Sequence, residues 1–224
     1  MKQPARADMH HPPLKTIPIW AIGLALGAFA VLAWFAYGPD VMPGDEMLLD
    51  WIQKAPARRW QYVADVGNLI GETEAIPIVL LALSILSISR KSIEAATFCF
   101  AALVLRIGGM FLKSLFDSTR PTIELAEIRD QFDSTGFPSG HAQTSTLVAG
   151  AVTIVAAQLF PESRCLKWVM LLFWIWVIAC WFARIWYGAH WPSDVLGGIL
   201  VSIVILGLST RLASSFPAKT NNQP

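Results

Sequence analysis

Charge is what this sequence has least of. Only 15% of its 224 residues are charged and 54% are hydrophobic, whereas a soluble domain carries about 25% charged residues. That deficit is too large for an ordinary solvated surface. The formal net charge is +1, so no general basicity suggests a nucleic-acid partner. Cysteine is scarce as well. Cys99, Cys165 and Cys180 sit in or beside apolar runs without C-x-x-C spacing. This argues against a disulfide framework or a thiolate metal site and leaves small apolar core residues. Neither an internal repeat nor a low-complexity tract is visible. Histidine is rare too, with four in the chain. His10 and His11 lie in a polar N-terminal tail, where solvation accounts for them. The other two, His141 and His190, do not.

What the chain has in abundance is long apolar sequence, with a mean hydropathy of +0.51 and ten Trp, a residue that favours the membrane interface. Residues 17–37 form an uncharged stretch long enough to cross a hydrocarbon core of about 30 Å. No clear small-residue cleavage site follows it, and more apolar segments do, so it reads as a retained span rather than a signal peptide. Further apolar segments cover 75–89, 93–112, 142–160, 168–183 and 195–209. Several are shorter than the roughly 18 to 20 residues of a full span, and helical polar ends are expected to supply the difference. The expectation is an all-α polytopic membrane bundle of six transmembrane helices in one domain, 17–212, between tails 1–16 and 213–224.

Six spans put both termini on one side. That side holds Lys2, Arg6, Lys15, Arg90, Lys91, Arg164, Lys167, Arg211 and Lys219. The other holds Lys54, Arg58, Arg59 and Arg129 outside the polar cluster described next, with seven acids between Asp40 and Glu74. The Lys/Arg bias predicts cytoplasmic tails, with the loops 38–74, 116–141 and 187–194 on the outer face. Leu48, Leu49, Trp51, Ile52 and Trp60 lie among the charges of the first loop. They fit an amphipathic helix resting on the bilayer or, equally well, a plain connection.

Three polar stretches interrupt this pattern, all on the expected outer face. Residues 113–121 end the third span and carry Lys113, Arg120 and Pro121. Residues 138–141 open the fourth span with Pro138, Ser139, Gly140 and His141. Residues 184–194 join the fifth and sixth spans and carry Arg184, His190, Pro192 and Asp194. Ionisable residues at membrane depth are costly and are functional candidates by default. Their identities suit an anion. Free N–H groups and the positive dipole end at a helix start bind phosphate, and Gly140 allows close approach to the backbone. Pro192 marks a first helical turn, from which Asp194 can reach back to an imidazole N–H of His190. Such a bond fixes the tautomer and leaves the other ring nitrogen as a nucleophile. Lys113, Arg120 and Arg184 supply cations, each worth roughly 4 kcal/mol against a close anion at an effective dielectric of 20. Together with backbone donors they can take a metal's part in stabilising a transferring phosphoryl group. A lone histidine near a membrane is more often a bonded interface residue. The pair flanked by Lys, Arg and Asp at these spacings reverses that judgement.

These residues resemble the three-part signature of the type 2 phosphatidic acid phosphatase superfamily of membrane lipid phosphatases. Its first part is Lys, six residues, Arg-Pro, matched by Lys113, Arg120 and Pro121. Its second is Pro-Ser-Gly-His, matched by residues 138–141. Its third is Ser-Arg, five residues, His, three residues, Asp, matched by Arg184, His190 and Asp194 but with Ala183 in place of Ser. The substitution removes a hydroxyl but no charge, acid or nucleophile. The resemblance implies that His190 attacks phosphorus, Asp194 orients it, and His141 protonates the leaving oxygen. Lys113, Arg120, Ser139, Gly140 and Arg184 would hold the phosphate, with no metal and no cofactor. It also implies a lipid phosphate partner in the bilayer of a bacterial inner membrane. By analogy the substrates are undecaprenyl diphosphate, ranked first, then phosphatidylglycerophosphate, phosphatidic acid and lipid A phosphates. A phosphotransferase, a vanadium haloperoxidase and a non-catalytic lipid-binding protein are the rivals. Free phosphate release, bromide oxidation and the activity of His190→Ala discriminate them. Oligomeric state is left open.

Other polar residues carry weaker expectations. Arg106, seven residues before Lys113, is expected to pair with a buried acid such as Glu94, or else to deepen the phosphate field. Glu72 and Glu74 read as a solvated loop end, and Asp117 and Asp133 as loop or capping residues. Trp174, Trp176, Trp181, Trp186 and Trp191 are expected to pack or to anchor at the interface. Trp186, Tyr187 and Trp191 could also border the path of an incoming lipid.

Overall fold

The computed structural model describes residues 11–38, 41–54, 57–68, 74–116, 118–122, 128 and 135–216. His10, Glu72, Asp117, Arg129 and Asp133 lie outside the described residues. The described residues form eight helices and no strand. In order they are α1 (Ile19–Tyr37), α2 (Asp45–Gln53), α3 (Ala57–Asn68), α4 (Ala75–Ser89), α5 (Ile93–Lys113), α6 (Gly140–Leu159), α7 (Arg164–Trp186) and α8 (Pro192–Ser214).

Five of them, α1, α5, α6, α7 and α8, are long and apolar enough to cross a membrane. The expected second span, α4, is apolar but has only 15 residues. At 1.5 Å per residue it is about 22 Å long, short of a full hydrocarbon core. The other spans gain their length from polar ends. Helix α6 begins at Gly140 because the Ser139 hydroxyl accepts from the Ala142 N–H. Ser92 and Ser163 cap α5 and α7 in the same way, each satisfying an N–H that has no partner within its helix. Helix α8 starts on Pro192, whose missing N–H costs nothing there.

Helix α8 packs against α1, α5 and α6. At its crossing with α6, Gly198 faces the Ser139 carbonyl and the Gln143 N–H, and Gly150 faces Leu206. A side chain at either glycine would collide, so small residues set the close approach, as is common between membrane helices. Helices α1 and α7 turn large apolar side chains outward, among them Trp20, Leu24, Trp34, Trp168 and Leu172. That surface suits lipid rather than water. The loop expected as one amphipathic helix or a plain connection contains two helices. Helix α3 lies along α7, and α2 touches α7 and α8.

The described part of the expected N-terminal tail is not free. Leu14 is buried, and its N–H donates to Glu94 Oε2 at 3.0 Å. Gln158 Nε2 donates to the same oxygen at 2.7 Å. Glu94 therefore does not pair with Arg106. The two stand about 18 Å apart along α5, too far for an ion pair. Cys99 and Cys180 are buried as expected, while Cys165 is exposed.

Candidate active site

The turn from α7 to α8 is built to present one imidazole. Gly188 follows the end of α7 at φ +66°, a left-handed conformation that glycine adopts without strain. The N–H groups of Ala189 and His190 then both fold back onto the Arg184 carbonyl at 3.1 Å. At the start of α8, Asp194 Oδ2 accepts the Trp191 N–H at 3.0 Å and faces His190 Nδ1 at 3.3 Å. His190 and Asp194 are 2% and 1% exposed. With Nδ1 directed at the carboxylate, Nε2 is the ring nitrogen left for chemistry. It lies 3.3 Å from Arg120 Nη1. Burial, then the charges of Arg120, Arg184 and Lys113, hold the His190 pKa well below its ordinary 6.5.

The cations come from three elements. Lys113 is the last residue of α5, and Arg184 sits in the last turn of α7. Arg120 follows α5 in an irregular segment, where Nη1 donates to the Ala189 carbonyl and Nη2 to the Thr135 carbonyl at 3.3 Å. This guanidinium ties the first and third polar stretches together. The second stretch is fastened to the third by the backbone, since the Ser139 N–H donates to the Asp194 carbonyl at 3.0 Å. Gly136 makes this possible, because a Cβ there would stand 2.9 Å from Asp194 Oδ2. Gly140 and His141 occupy the first turn of α6, where backbone N–H groups point off the helix end. Lys113, Arg120, Ser139, Gly140, His141, Arg184, His190 and Asp194 thus converge at one end of α5 to α8. Among the described residues, no group of three or more His, Cys, Asp and Glu is placed to hold a metal ion.

Two residues at the site carry no signal in the sequence. Asp45, from α2, accepts from the Ser193 N–H at 2.9 Å and from the Ser193 hydroxyl. It caps α8 next to Asp194, and burial raises its pKa despite those two bonds. Asn68, the last residue of α3, accepts from Arg184 Nη1 at 2.6 Å. Ala183 is fully buried and packs with Ala64 of α3 and Trp186. The neighbour of Arg184 is thus a packing residue, and an amide from α3 holds the guanidinium. Trp186 and Trp191 are buried, Trp191 lines a recess with Asp45, Ser193 and Asp194, and its Nε1 donates to the Thr119 carbonyl at 3.0 Å.

Comparison with known proteins covers the same region. Residues 94–216 match the PAP2 superfamily. Undecaprenyl-diphosphatase BcrC of Bacillus subtilis is 39% identical over 69 residues, 31% of this chain and 31% of its own length. An undecaprenyl-diphosphatase of Sulfolobus acidocaldarius is 34% identical over 87 residues, 39% of this chain and 38% of its own length. The chain thus spans about a third of the length of each of these curated relatives. A transmembrane PAP2-type phosphatidylglycerolphosphate phosphatase from Bacillus subtilis superposes with a TM-score of 0.67. It covers 86% of this chain and 94% of its own at 18% identity, a likeness that speaks for the fold.

Proposed function

The chain belongs to the PAP2 superfamily, and on that footing we propose that it is a membrane lipid phosphatase working through a phosphohistidine. The observation that carries this is the His190 ring, with Nδ1 on the Asp194 carboxylate and Nε2 turned to the Arg120 guanidinium. In the proposed first step Nε2 attacks phosphorus while the bond to the leaving oxygen breaks. His141 gives that oxygen its proton. Lys113, Arg120 and Arg184, with the N–H groups opening α6 and the Ser139 hydroxyl, stabilise the equatorial oxygens. In the second step His141 takes a proton from water, which displaces histidine from phosphorus and releases phosphate.

Undecaprenyl diphosphate is the first candidate substrate, supported by the names of the two curated relatives. The excess of Lys and Arg on the side of the termini supports a bacterial inner-membrane setting with the site on the outer face. The test is phosphate release from a panel of purified lipid phosphates in chelator, comparing wild type with His190→Ala. The reading expects metal-independent release that the variant loses. Turnover by His190→Ala, or turnover abolished by chelator, would overturn it.

A further inference from the structure

Helix α5 carries a charge that the proposed chemistry does not use. Arg106 lies two turns before Lys113 on the same helix face, about 10 Å deeper along the axis. It is 7% exposed, and its Nε has no hydrogen-bond partner among the described residues. A second orphaned donor stands near the same stripe. Gln143, two residues beyond His141 on α6, is 4% exposed, and its Nε2 also lacks a partner. That nitrogen lies 3.6 Å from where a Cβ would stand on Gly109, with Ile205 of α8 at 3.8 Å. Gly109 falls between Arg106 and Lys113, three and four residues from each, so the three share one face. The face looks towards α6 and α8, and the missing side chain of Gly109 lets Gln143 of α6 and Ile205 of α8 approach α5 between Arg106 and Lys113.

Buried donors without acceptors are costly, and a guanidinium at membrane depth more so. Two of them, both donors, ask for an acceptor from outside the protein. We propose that Arg106 and Gln143 receive the second phosphate of a lipid diphosphate, the one that leaves with the lipid. They would thereby set a preference for diphosphates over monophosphates. The inference rests on the lipid phosphatase reading above. Its geometry is that of a lipid held in a bilayer. With the terminal phosphate at His190, the next phosphate lies closer to the tail, and Arg106 lies deeper along α5 than Lys113. When the bridging P–O bond breaks, negative charge grows on the departing lipid phosphate. A guanidinium there stabilises it in the same direction as the proton from His141.

The test uses the full-length protein in detergent with farnesyl diphosphate and farnesyl monophosphate, which share one tail. Arg106→Gln should lower kcat/KM for the diphosphate about 100-fold and for the monophosphate by no more than about threefold. Arg106→Lys should recover about tenfold of the loss, and Gln143→Leu should lose about tenfold on the diphosphate alone. Competitive inhibition by inorganic phosphate, which fits the terminal site, should be unchanged. Equal losses on both substrates, complete inactivity included, would overturn the proposal, and so would no loss on either. Equal loss is also what a water-filled recess or a folding defect would give. A wild type that releases phosphate from neither probe nor from any other lipid phosphate sinks the phosphatase reading itself, a different result from a wild type without the Arg106 effect.

Discussion

The two ends of α5 handle polar groups in opposite ways. At one end, Glu94 accepts from the Leu14 N–H and from Gln158. Gln158 also donates to the Pro12 carbonyl at 3.1 Å and accepts from the Ser92 hydroxyl at 3.2 Å. The Leu14, Gln158 and Ser92 donors each meet an acceptor, and the network pins the N-terminal segment to α5 and α6. At the other end, burial and the charges of Arg120, Arg184 and Lys113 together lower the pKa of one buried imidazole. Deeper in the bundle, Arg106 Nε and Gln143 Nε2 have no partner among the described residues. A closed network of this kind is a fastening. An open one leaves buried donors whose acceptor a ligand can supply. The comparison teaches that closure, not polarity, separates structure from site within one helix.

The strongest test of that division removes the reacting group. His190→Ala should lower the rate of phosphate release about 10⁴-fold or more, while the protein keeps its thermal unfolding midpoint. A variant retaining a tenth of the wild-type rate would break the comparison at its catalytic end. Asp194→Asn comes next. The amide keeps the shape of the Trp191 cap but cannot hold the imidazole in its reactive tautomer. A loss of about 10³-fold in kcat is expected, as in other acid–histidine pairs. A loss below about tenfold would reduce Asp194 to a helix cap.

The pH profile sharpens the same end. His190 attacks only when neutral, and burial followed by the cations Arg120, Arg184 and Lys113 lowers its pKa well below 6.5. The neutral form therefore persists as pH falls through 6.5 and is lost only at lower pH. The acid limb of kcat/KM, which reports the free enzyme, should lie below pH 6.5 and fall about tenfold per pH unit. An acid limb at or above 6.5, in a profile measured with one lipid phosphate, would show that Asp194 wins over burial and the cations.

Much of this was legible before any coordinates. The residues of the proposed site are concentrated in 113–121, 138–141 and 184–194, where spacing alone brings polar residues to helix ends. The apolar runs located the helices, and 75–89 matches α4 at both limits. The apolar runs begin only at 142 and 195, but residues 138–141 and Pro192 mark the helix starts in the sequence, and α6 and α8 begin at Gly140 and Pro192. Hydropathy sees the apolar interior, whereas the start is set by Ser139 as a cap and by Pro192 with Asp194. Asp45 and Asn68 were not legible. An acid opening a short helix and an Asn closing an amphipathic one are ordinary residues at such places. Their roles come from the docking of α2 on α8 and of α3 on α7, which no local pattern encodes. Leu14 was missed for the same reason, since its burial depends on Glu94 and Gln158 from distant helices.

Asn68 gives a smaller effect on the active end. Asn68→Ala removes the acceptor that holds Arg184 Nη1, leaving the guanidinium charged but less well aimed. A loss of about tenfold in kcat with little change in KM is expected, because the aim matters most when charge develops in the transition state. Asn68→Asp, which restores an acceptor, should recover part of it. If Asn68→Ala changes only the unfolding midpoint, α3 is packing and nothing more.

The smallest effect on rate tests the closed end. Glu94→Gln keeps the shape of the side chain and an oxygen able to accept from Leu14, but it removes the charge that strengthens both bonds. The expected cost is about 1 to 2 kcal/mol of stability, read as a lower unfolding midpoint in detergent. Phosphate release by the folded fraction should stay within about twofold of wild type, because the network sits at the ends of α5 and α6 opposite the site. If the rate instead fell tenfold with the midpoint unchanged, the inner network would be coupled to catalysis. Closure would then no longer separate fastening from site on this helix.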